Sequence, residues 1–323
     1  MKPKLLAHIH LAPPNHCAGA EEALFAVLTE LRDAHGFNCR VIVARPPRRN
    51  DDYLGIPVRM ERDPRRALHA YGWADLAITH LDVTRQATSA AKRAGVPLIH
   101  YVHNDQQLAY HNVRSDTALV CFNSRWIADQ VGWSGDWQVL HPPVWPDRYR
   151  CEDRSAQVSV SLLNLAYAKG GEVFYELAAR MPDVSFLGVG GAYAAQAPPP
   201  VLPNLEVLPH SRDVVAEVYA RTAVLVMPSS YESWGRVAVE GALCGIPTVA
   251  SPTPGLVETG IPAAFCPVEP HDLDEWEDAI RTLLDPPVRE AAGMAARDRA
   301  LELAELSRAE IAYLAETLRA MIS

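Results

Sequence analysis

The sequence lacks long hydrophobic runs, and its six cysteines show neither CxxC pairs nor the spacing of metal ligands. The apolar stretch that follows Lys4 is too short for a secretion signal, and no segment approaches the roughly 18 apolar residues of a membrane span. The HExxH, nucleophile-elbow and Walker A patterns are also absent. We therefore expect a soluble, cytoplasmic protein with reduced cysteines, no transmembrane segment and no metal site.

The charge balance differs between the two halves of the chain. Of its 323 residues, 49% are hydrophobic and 21% are charged, as in globular proteins, and the length favours two domains. Residues 1–150 carry 18 Lys and Arg against 15 Asp and Glu, whereas residues 151–323 carry 12 against 24. The acidic second half argues against stable nucleic-acid binding. The mildly basic first half is compatible with an anionic acceptor or with peripheral membrane contact, although ordinary surface charge is the favoured explanation.

Short apolar runs rich in β-branched residues alternate with amphipathic segments along most of the chain. This alternation predicts βαβ units, parallel sheets and an α/β fold. Strands are predicted at residues 5–11, 39–44, 74–79, 96–102, 117–122, 158–163, 184–189, 223–227 and 247–250. The tail is predicted to form helices at 272–284, 288–303 and 307–322. Proline and charge enrichment over residues 141–157 marks the best candidate for an interdomain linker.

Three histidines follow predicted strands at their carboxyl ends. His10, His80 and His103 fall at the edge of a parallel sheet where ligands bind. Each alone is better explained as a structural histidine, but three together favour a polar cleft, with His103 as the preferred member. The small residues at the start of the first helix, Gly19 among them, would let a phosphate approach free N–H groups, although a tight strand-to-helix turn explains them equally well.

Three other patterns are better explained without a ligand. Asp272-Leu273-Asp274 has a form that can bind a metal diphosphate, but it opens an amphipathic helix and is predicted to cap it. Gly188–Gly191 follows a strand but lacks the spacing of a dinucleotide-binding fingerprint. The basic, Pro-rich segments 45–50 and 63–66 are predicted to be exposed loops, with contact to the acceptor or to lipid headgroups as the alternative.

The most informative stretch is PSSYESWGRVAVEGALCG, residues 228–245. It follows a buried strand and contains a helix that opens at Gly235 and ends at Gly245. Glu240 lies inside this apolar helix, where burial of an unpaired charge would cost on the order of several kcal/mol or more. Glu240 must therefore be solvated or partnered. Glu232 lies eight residues earlier, in the loop before the helix.

The run from Glu232 to Glu240 resembles the E-x(7)-E motif of retaining glycosyltransferases of family 4. Its flanks match as well, at residues 228–230, 242–247, Gly255 and Glu258. Upstream, Asn164-x(4)-Lys169-Gly170 resembles the donor-phosphate lysine segment of that family. The resemblance covers nearly all of residues 158–260 and, more loosely, Gly19 and His103.

This resemblance implies the GT-B fold, in which two Rossmann-like domains with doubly wound parallel sheets face each other across a cleft. The first domain would be residues 1–148, followed by a linker at 149–157 and by the second domain at 158–304. The C-terminal helix, about 305–323, would pack back on the first domain. The second domain would hold a UDP- or GDP-sugar and the first domain the acceptor, with no metal or other cofactor.

The resemblance also implies roles for individual residues. His103, Lys169 and Glu232 would be catalytic. The donor-binding set would be Gly19, Asn164, Lys169, Gly235, Arg236, Val237 and Glu240. Lys169 and the N–H groups at the helix start would hold the diphosphate, with the Arg236 side chain as an alternative cation. Glu232 would contact the sugar hydroxyls, Glu240 the ribose, and His103 the sugar or the diphosphate.

Three functions remain open at this point. The favoured one is a retaining, metal-independent glycosyltransferase that acts by front-face attack, with the departing phosphate helping to deprotonate the acceptor. The alternatives are a sugar-nucleotide epimerase or hydrolase of the same fold, and a non-catalytic nucleotide-sugar-binding partner subunit. The acceptor could be a small molecule, a glycan, a protein or a modified nucleobase.

Overall fold

The chain divides into two compact units, and each has its own parallel sheet. The computed structural model describes residues 2–13, 18–43, 51–61, 63–105, 113, 117–152, 154–191, 194–211, 213–267 and 272–323. The N-terminal unit comprises Met1–Pro143 and Glu305–Ser323, and the C-terminal unit comprises Val144–Ala304.

The N-terminal unit contains an eight-stranded sheet. Its strands are β1 Lys4–Ile9, β2 Asn38–Val43, β3 Asp51–Tyr53, β4 Ile56–Met60, β5 Leu76–Thr79, β6 Leu98–Val102, β7 Leu119–Phe122 and β8 Trp137–Val139. They lie in the order β3-β4-β2-β1-β5-β6-β7-β8, and every neighbouring pair is parallel except β3–β4. Because the strand order reverses direction at β1, a topological switch point lies between β1 and β5, where parallel sheets commonly bind ligands.

Helices connect the strands of the N-terminal unit. They are α1 Gly19–Asp33, α2 Pro64–Trp73, α3 Thr84–Ala94 and α4 Arg125–Val131. Helix α2 corrects the prediction that residues 63–66 form a loop. Asp63 is the N-cap and its carboxylate accepts a hydrogen bond from the Arg65 N–H at 2.8 Å, while Pro64 takes the first helical position. Proline is suited to that position, where its missing N–H costs nothing. Residues 45–50 lie outside the described residues.

The C-terminal unit repeats this topology with a six-stranded sheet. Its strands are β9 Ser159–Leu163, β10 Phe186–Val189, β11 Leu205–Leu208, β12 Thr222–Met227, β13 Thr248–Ala250 and β14 Ala264–Phe265. The order is β11-β10-β9-β12-β13-β14, with all pairs parallel. The switch point of this sheet therefore lies between β9 and β12. The run Ala223–Met227 forms a fully buried strand, as its continuous apolar sequence predicts.

Helices of the C-terminal unit follow its strands, and the last one continues into the N-terminal unit. They are α5 Gly171–Arg180, α6 Val214–Glu217, α7 Arg236–Leu243, α8 Pro254–Thr259, α9 Leu273–Leu284 and α10 Pro286–Ala320. Asp272 caps α9, accepting a hydrogen bond from the Asp274 N–H at 2.9 Å, as predicted. The two separate helices predicted at 288–303 and 307–322 are wrong. Residues 304–306, Ala-Glu-Leu, are strong helix formers that do not interrupt α10.

The boundary between the units, between Pro143 and Val144, lies within the proline- and charge-rich segment 141–157 and before the linker expected at 149–157. Val144 and Tyr149 are only 2% and 8% exposed and pack with Trp234, Val239 and Leu256 in a core cluster of the C-terminal unit. Apolar burial therefore assigns residues 144–157, which include the predicted linker at 149–157, to the C-terminal unit. The return of the chain to the N-terminal unit falls at Glu305.

The described part of the chain tests two expectations, on membrane-spanning helices and on cysteines. No helix there is long and apolar enough to cross a membrane. The described cysteines, Cys39, Cys121, Cys151, Cys244 and Cys266, are free thiols, and Cys17 lies outside the described residues.

Two helical glycines should respond in opposite ways to alanine substitution. Gly72 in α2 has open space where a Cβ would lie, so Gly72→Ala should stabilise the protein by about 0.5–1 kcal/mol through helix propensity. A Cβ on Gly293 in α10 would lie 2.2 Å from the Gly245 carbonyl oxygen. Gly293→Ala should therefore lower the free energy of unfolding by about 1–3 kcal/mol. Urea denaturation measures both changes, and equal stabilisation by the two variants would contradict the close contact.

Candidate active site

The switch point of the C-terminal unit brings together the two loops that carry the predicted catalytic residues. Strands β9 and β12 are hydrogen-bonded neighbours that run parallel, so the loops after them leave the same edge of the sheet. Lys169 follows β9 and Glu232 follows β12. The Ser230 N–H donates a hydrogen bond to the Ala168 carbonyl at 3.1 Å, which joins the two loops directly.

Gly170 allows the two loops to approach this closely. Lys169 ends a short 3-10 turn, Tyr167–Lys169, and Gly170 follows in the left-handed region at φ 78° as the N-cap of α5. A Cβ on Gly170 would lie 2.1 Å from the Pro228 carbonyl oxygen. Only glycine meets both the conformational and the steric requirement at this position.

Lys169 and Glu232 form an ion pair at this junction. Lys169 Nζ lies 2.7 Å from Glu232 Oε1 and also donates to the Tyr231 carbonyl at 3.2 Å. The buried Ser229 hydroxyl donates to the same Glu232 oxygen at 2.9 Å. The Lys169 side chain is 29% exposed and that of Glu232 is 12% exposed. The pair thus offers a partly accessible ammonium beside a carboxylate whose position is fixed by Ser229.

Helix α7 begins directly after this loop. Gly235 is its N-cap in the left-handed region, at φ 85°, and makes no side-chain cap hydrogen bond. The first-turn N–H groups of a helix, here at Arg236 and Val237, have no acceptor within the helix and are suited to an anion. Gly255 packs closely against the loop that carries Glu232. A Cβ at Gly255 would lie 2.4 Å from the Glu232 carbonyl oxygen.

Glu240 is partnered rather than solvated, as burial in an apolar helix requires. Its Oε1 lies 2.7 Å from Arg236 Nε, one helical turn earlier, and both side chains are about one tenth exposed. Tyr149 and Tyr219 donate their hydroxyl protons to Oε1 and Oε2, at 3.0 and 2.9 Å. The Arg236 guanidinium is therefore engaged with Glu240, which argues against the alternative that it neutralises a phosphate.

The Asn164 side chain is held by hydrogen bonds within the C-terminal unit. It adopts φ 74°, and its Oδ1 accepts hydrogen bonds from the Ala166 N–H at 3.2 Å and from Gln196 Nε2 at 3.3 Å. A Cβ on Gly191 would lie 2.1 Å from that same oxygen. The Gly188–Gly191 segment therefore makes room for the Asn164 side chain.

Gly19 and His103 belong to the N-terminal unit. Gly19 is the exposed first residue of α1, and its N-cap Ala18 provides no side-chain cap. The first turn already carries Glu21 and Glu22, which occupy positions that the helix dipole favours for negative charge.

His103 follows β6 and lies in a cluster of buried histidines. Its Nε2 is 3.1 Å from Nδ1 of His80, the residue that follows β5, and its ring contacts the Tyr101 ring at 4.0 Å between centroids and 47° between planes. His100 lies nearby, with Nε2 at 3.3 Å from the Thr84 hydroxyl and with no hydrogen-bond partner for Nδ1 in the described part of the chain. Burial lowers the pKa of His80 to about 3 and that of His100 to about 3, and burial beside these two rings lowers the pKa of His103 well below 6.5. All three rings are therefore neutral at neutral pH.

Several residues of the site could not be found from the sequence. Tyr149 lies in the predicted linker, and Tyr219 lies outside every motif that the sequence analysis identifies. The Ser229 hydroxyl is part of the recognised flank, but its contact with Glu232 is visible only in the structure. Among the described residues, no group of three or more His, Cys, Asp or Glu side chains could hold a metal ion.

The buried histidines should make stability depend on pH below about 6.5. Because the folded-state pKa of His100 is about 3 and its ordinary value is 6.5, only the unfolded chain binds the proton between these values. Stability is therefore complete above pH 6.5 and is lost as the pH falls, by about 1.4 kcal/mol per pH unit for each such histidine. His100→Gln should reduce this slope, measured by urea denaturation at pH 7, 6 and 5. Substitution of the exposed His69 by Gln is the matched control, and an unchanged slope in His100→Gln would contradict the assignment.

A comparison with protein-family models matches the region of the chain that contains the candidate site. Residues 162–286 match the family model described as glycosyl transferases group 1. This range contains Lys169, Glu232 and Glu240.

Two curated relatives share the same name and activity. The chain is 29% identical over 276 residues to the D-inositol 3-phosphate glycosyltransferase of Mycobacteroides abscessus, covering 70% of this chain and 61% of that protein. It is 34% identical over 211 residues to the protein of the same name from Mycolicibacterium smegmatis, covering 57% and 47%. The aligned region thus spans about half to three fifths of the length of these relatives.

Solved structures share the fold of the whole chain. The chain has a TM-score of 0.77 and 18% identity with Anabaena Alr3699/HepE in complex with UDP and glucose, over 98% of this chain and 100% of that one. It has a TM-score of 0.79 and 19% identity with sucrose-phosphate synthase from Thermosynechococcus elongatus, over 99% and 100%. Residues 162–286 are therefore similar to group 1 glycosyltransferases, in a chain that has the GT-B fold.

Proposed function

We propose that the protein is a retaining glycosyltransferase that moves a sugar from a UDP- or GDP-sugar to a hydroxyl acceptor without a metal ion. The observation that carries this proposal is the Lys169–Glu232 ion pair, 2.7 Å from Nζ to Oε1, at the switch point of the C-terminal unit. The match of residues 162–286 to group 1 glycosyltransferases supports it.

Lys169 and the start of α7 would stabilise the leaving group. Cleavage of the bond between the anomeric carbon and the diphosphate places negative charge on the departing phosphate. The ammonium of Lys169 and the first-turn N–H groups of α7, at Arg236 and Val237, would provide positive charge and helix-dipole potential at that position. Binding of the diphosphate would give Lys169 a second anionic partner beside Glu232.

Glu232 would orient the donor sugar. A carboxylate accepts hydrogen bonds from sugar hydroxyls, and Ser229 holds Glu232 Oε1 in place at 2.9 Å. The positive charge that develops on the sugar ring would also be stabilised by a nearby carboxylate. The acceptor hydroxyl would attack from the face that the diphosphate leaves, so that the anomeric configuration is retained.

His103 would act as a neutral hydrogen-bonding group. Burial beside His80 and His100 holds its pKa well below 6.5, so at neutral pH the ring carries no charge, and one of its nitrogens, Nε2, is hydrogen-bonded to His80. A neutral ring suits contact with a sugar hydroxyl better than neutralisation of a phosphate.

The ligands of similar proteins are the first substrates to test. One structural neighbour was crystallised with UDP-glucose, and the curated relatives act on D-inositol 3-phosphate. We therefore propose UDP-glucose as the first donor and D-inositol 3-phosphate as the first acceptor, with GDP-sugars and other polyols next. Formation of a glycosylated acceptor, rather than a changed free sugar nucleotide, separates transfer from epimerase or hydrolase activity. The anomeric configuration of the product, determined by NMR, tests retention.

Substitution of either member of the ion pair should abolish transfer. Lys169→Ala should weaken binding of UDP or GDP by about tenfold or more, because it removes a charge-assisted contact with the diphosphate. Glu232→Gln should leave nucleotide affinity within about threefold and lower kcat by about 100-fold or more, because it removes an interaction with the sugar. Calorimetric titration and a coupled transfer assay measure the two effects.

The exposed residues Lys92 and Glu290 give the matched controls, Lys92→Ala and Glu290→Gln. Both controls should retain affinity and rate. Full transfer activity in Lys169→Ala or Glu232→Gln, with an unchanged melting temperature, would contradict the assignment of the site.

Transfer should also continue after removal of divalent metal ions. The proposal assigns the stabilisation of the diphosphate to Lys169 and to the α7 N–H groups, so dialysis against EDTA should change the rate by less than about twofold. A loss of activity that Mg²⁺ or Mn²⁺ restores would show that a metal ion contributes.

A further inference from the structure

The Glu240 carboxylate has an asymmetric set of hydrogen bonds. Arg236 Nε and the Tyr149 hydroxyl both reach Oε1, at 2.7 and 3.0 Å, whereas among the described residues the Tyr219 hydroxyl at 2.9 Å is the donor to Oε2. Each carboxylate oxygen can accept about two hydrogen bonds. Oε1 is therefore filled, and Oε2 retains capacity for one more donor.

Both tyrosines are fixed donors. Tyr219 is fully buried and Tyr149 is 8% exposed. Burial and the neighbouring Glu240 carboxylate raise the pKa of both phenols, so each keeps its proton and donates it. Arg236 Nη2 also donates to the Tyr149 oxygen at 3.2 Å, which orients that hydroxyl, and Gln157 Nε2 donates to the Tyr219 carbonyl at 3.1 Å.

We propose that Tyr149 and Tyr219 are positioning residues that fix the plane of the Glu240 carboxylate, so that Oε2 accepts a hydrogen bond from a ribose hydroxyl of the bound nucleotide. This inference rests on the proposed function, because it requires a ribonucleotide in the site. The tyrosines do not touch the reacting atoms and act through Glu240.

The geometry of the hydrogen bonds at Glu240 supports a positioning role for the tyrosines. Arg236 contacts Oε1 through Nε, and one such contact leaves the carboxylate free to rotate about its terminal bond. A second donor at Oε1 and a third at Oε2 restrict that rotation, because the hydrogen bonds come from different segments of the chain. Glu240 lies one turn into α7, whose first N–H groups are proposed to bind the diphosphate, and a ribose is directly attached to the diphosphate in any nucleotide sugar. On a side chain that is 10% exposed, the remaining acceptor position of Oε2 would therefore meet a ribose hydroxyl in a fixed direction.

The predicted consequence is discrimination between ribonucleotides and deoxynucleotides. The wild type should bind UDP about tenfold or more tightly than 2′-deoxy-UDP or 3′-deoxy-UDP, because loss of the ribose hydroxyl removes a hydrogen bond to a charged carboxylate oxygen. If the donor is a GDP-sugar, GDP and its deoxy analogues serve in the same way.

Two substitutions and a matched control test the role of the tyrosines. Tyr149→Phe and Tyr219→Phe should each reduce the preference for UDP over its deoxy analogue by about three- to tenfold. Tyr175→Phe is the control, because Tyr175 is a buried tyrosine of the same unit whose hydroxyl donates to the Ala197 carbonyl at 3.3 Å, away from Glu240. It should leave the preference unchanged. Calorimetric titration measures the affinities, and melting temperatures identify a variant that fails to fold.

A double-substitution cycle separates positioning from a general effect on stability. Glu240→Gln should reduce the same preference, and adding Tyr149→Phe to it should cause no further reduction, because the tyrosine acts only through the carboxylate. A merely structural tyrosine would lower the affinity for both nucleotides equally in either background.

The outcomes distinguish this inference from the proposed function. Loss of the preference in both tyrosine variants, but not in Tyr175→Phe, supports positioning. Normal UDP binding with an unchanged preference in Tyr149→Phe and Tyr219→Phe would overturn the inference and leave the proposed function intact. Failure of the wild type to bind any nucleoside diphosphate would overturn both.

Discussion

The contact between the loops after β9 and β12 is the constraint on which the rest of the site depends. Gly170 lies against the Pro228 carbonyl, and no residue with a Cβ can replace it without moving one of the loops. This approach places the Lys169 ammonium beside the Glu232 carboxylate. Gly255 fixes the other side of the Glu232 loop in the same manner. Two close backbone contacts therefore hold in place the loops that carry the two charged groups.

Burial of charge explains the second part of the site. Glu240 lies in an apolar helix, and the structure compensates its charge with Arg236 and two tyrosine hydroxyls. Such a cluster is costly to assemble and more costly to leave incomplete, because each unsatisfied buried group loses its hydration without replacement. The same requirement explains why residues 144–157 belong to the C-terminal unit. Tyr149 can reach Glu240 only if that segment packs on α7.

The two units use similar topology for different electrostatic environments. In the C-terminal unit, the residues at the switch point carry opposite charges. In the N-terminal unit, the strand ends carry His80 and His103, which hydrogen-bond to each other and remain neutral because they are buried. A sheet edge of the same form thus presents an ion pair in one unit and uncharged polar rings in the other.

The sequence alone determined the parallel α/β architecture, the buried strand before Glu232 and the need for a partner of Glu240, because these follow from hydrophobic periodicity and the cost of a buried charge. Short strands such as β8 and β14, the α2 start at Pro64 and the continuous helix α10 were missed, because local composition at those places is ambiguous. The partners of Glu240 and the structural role of Asn164 depend on residues distant in sequence, such as Tyr149 and Gln196. Only tertiary packing decides such contacts, because the chain must fold before their distances exist.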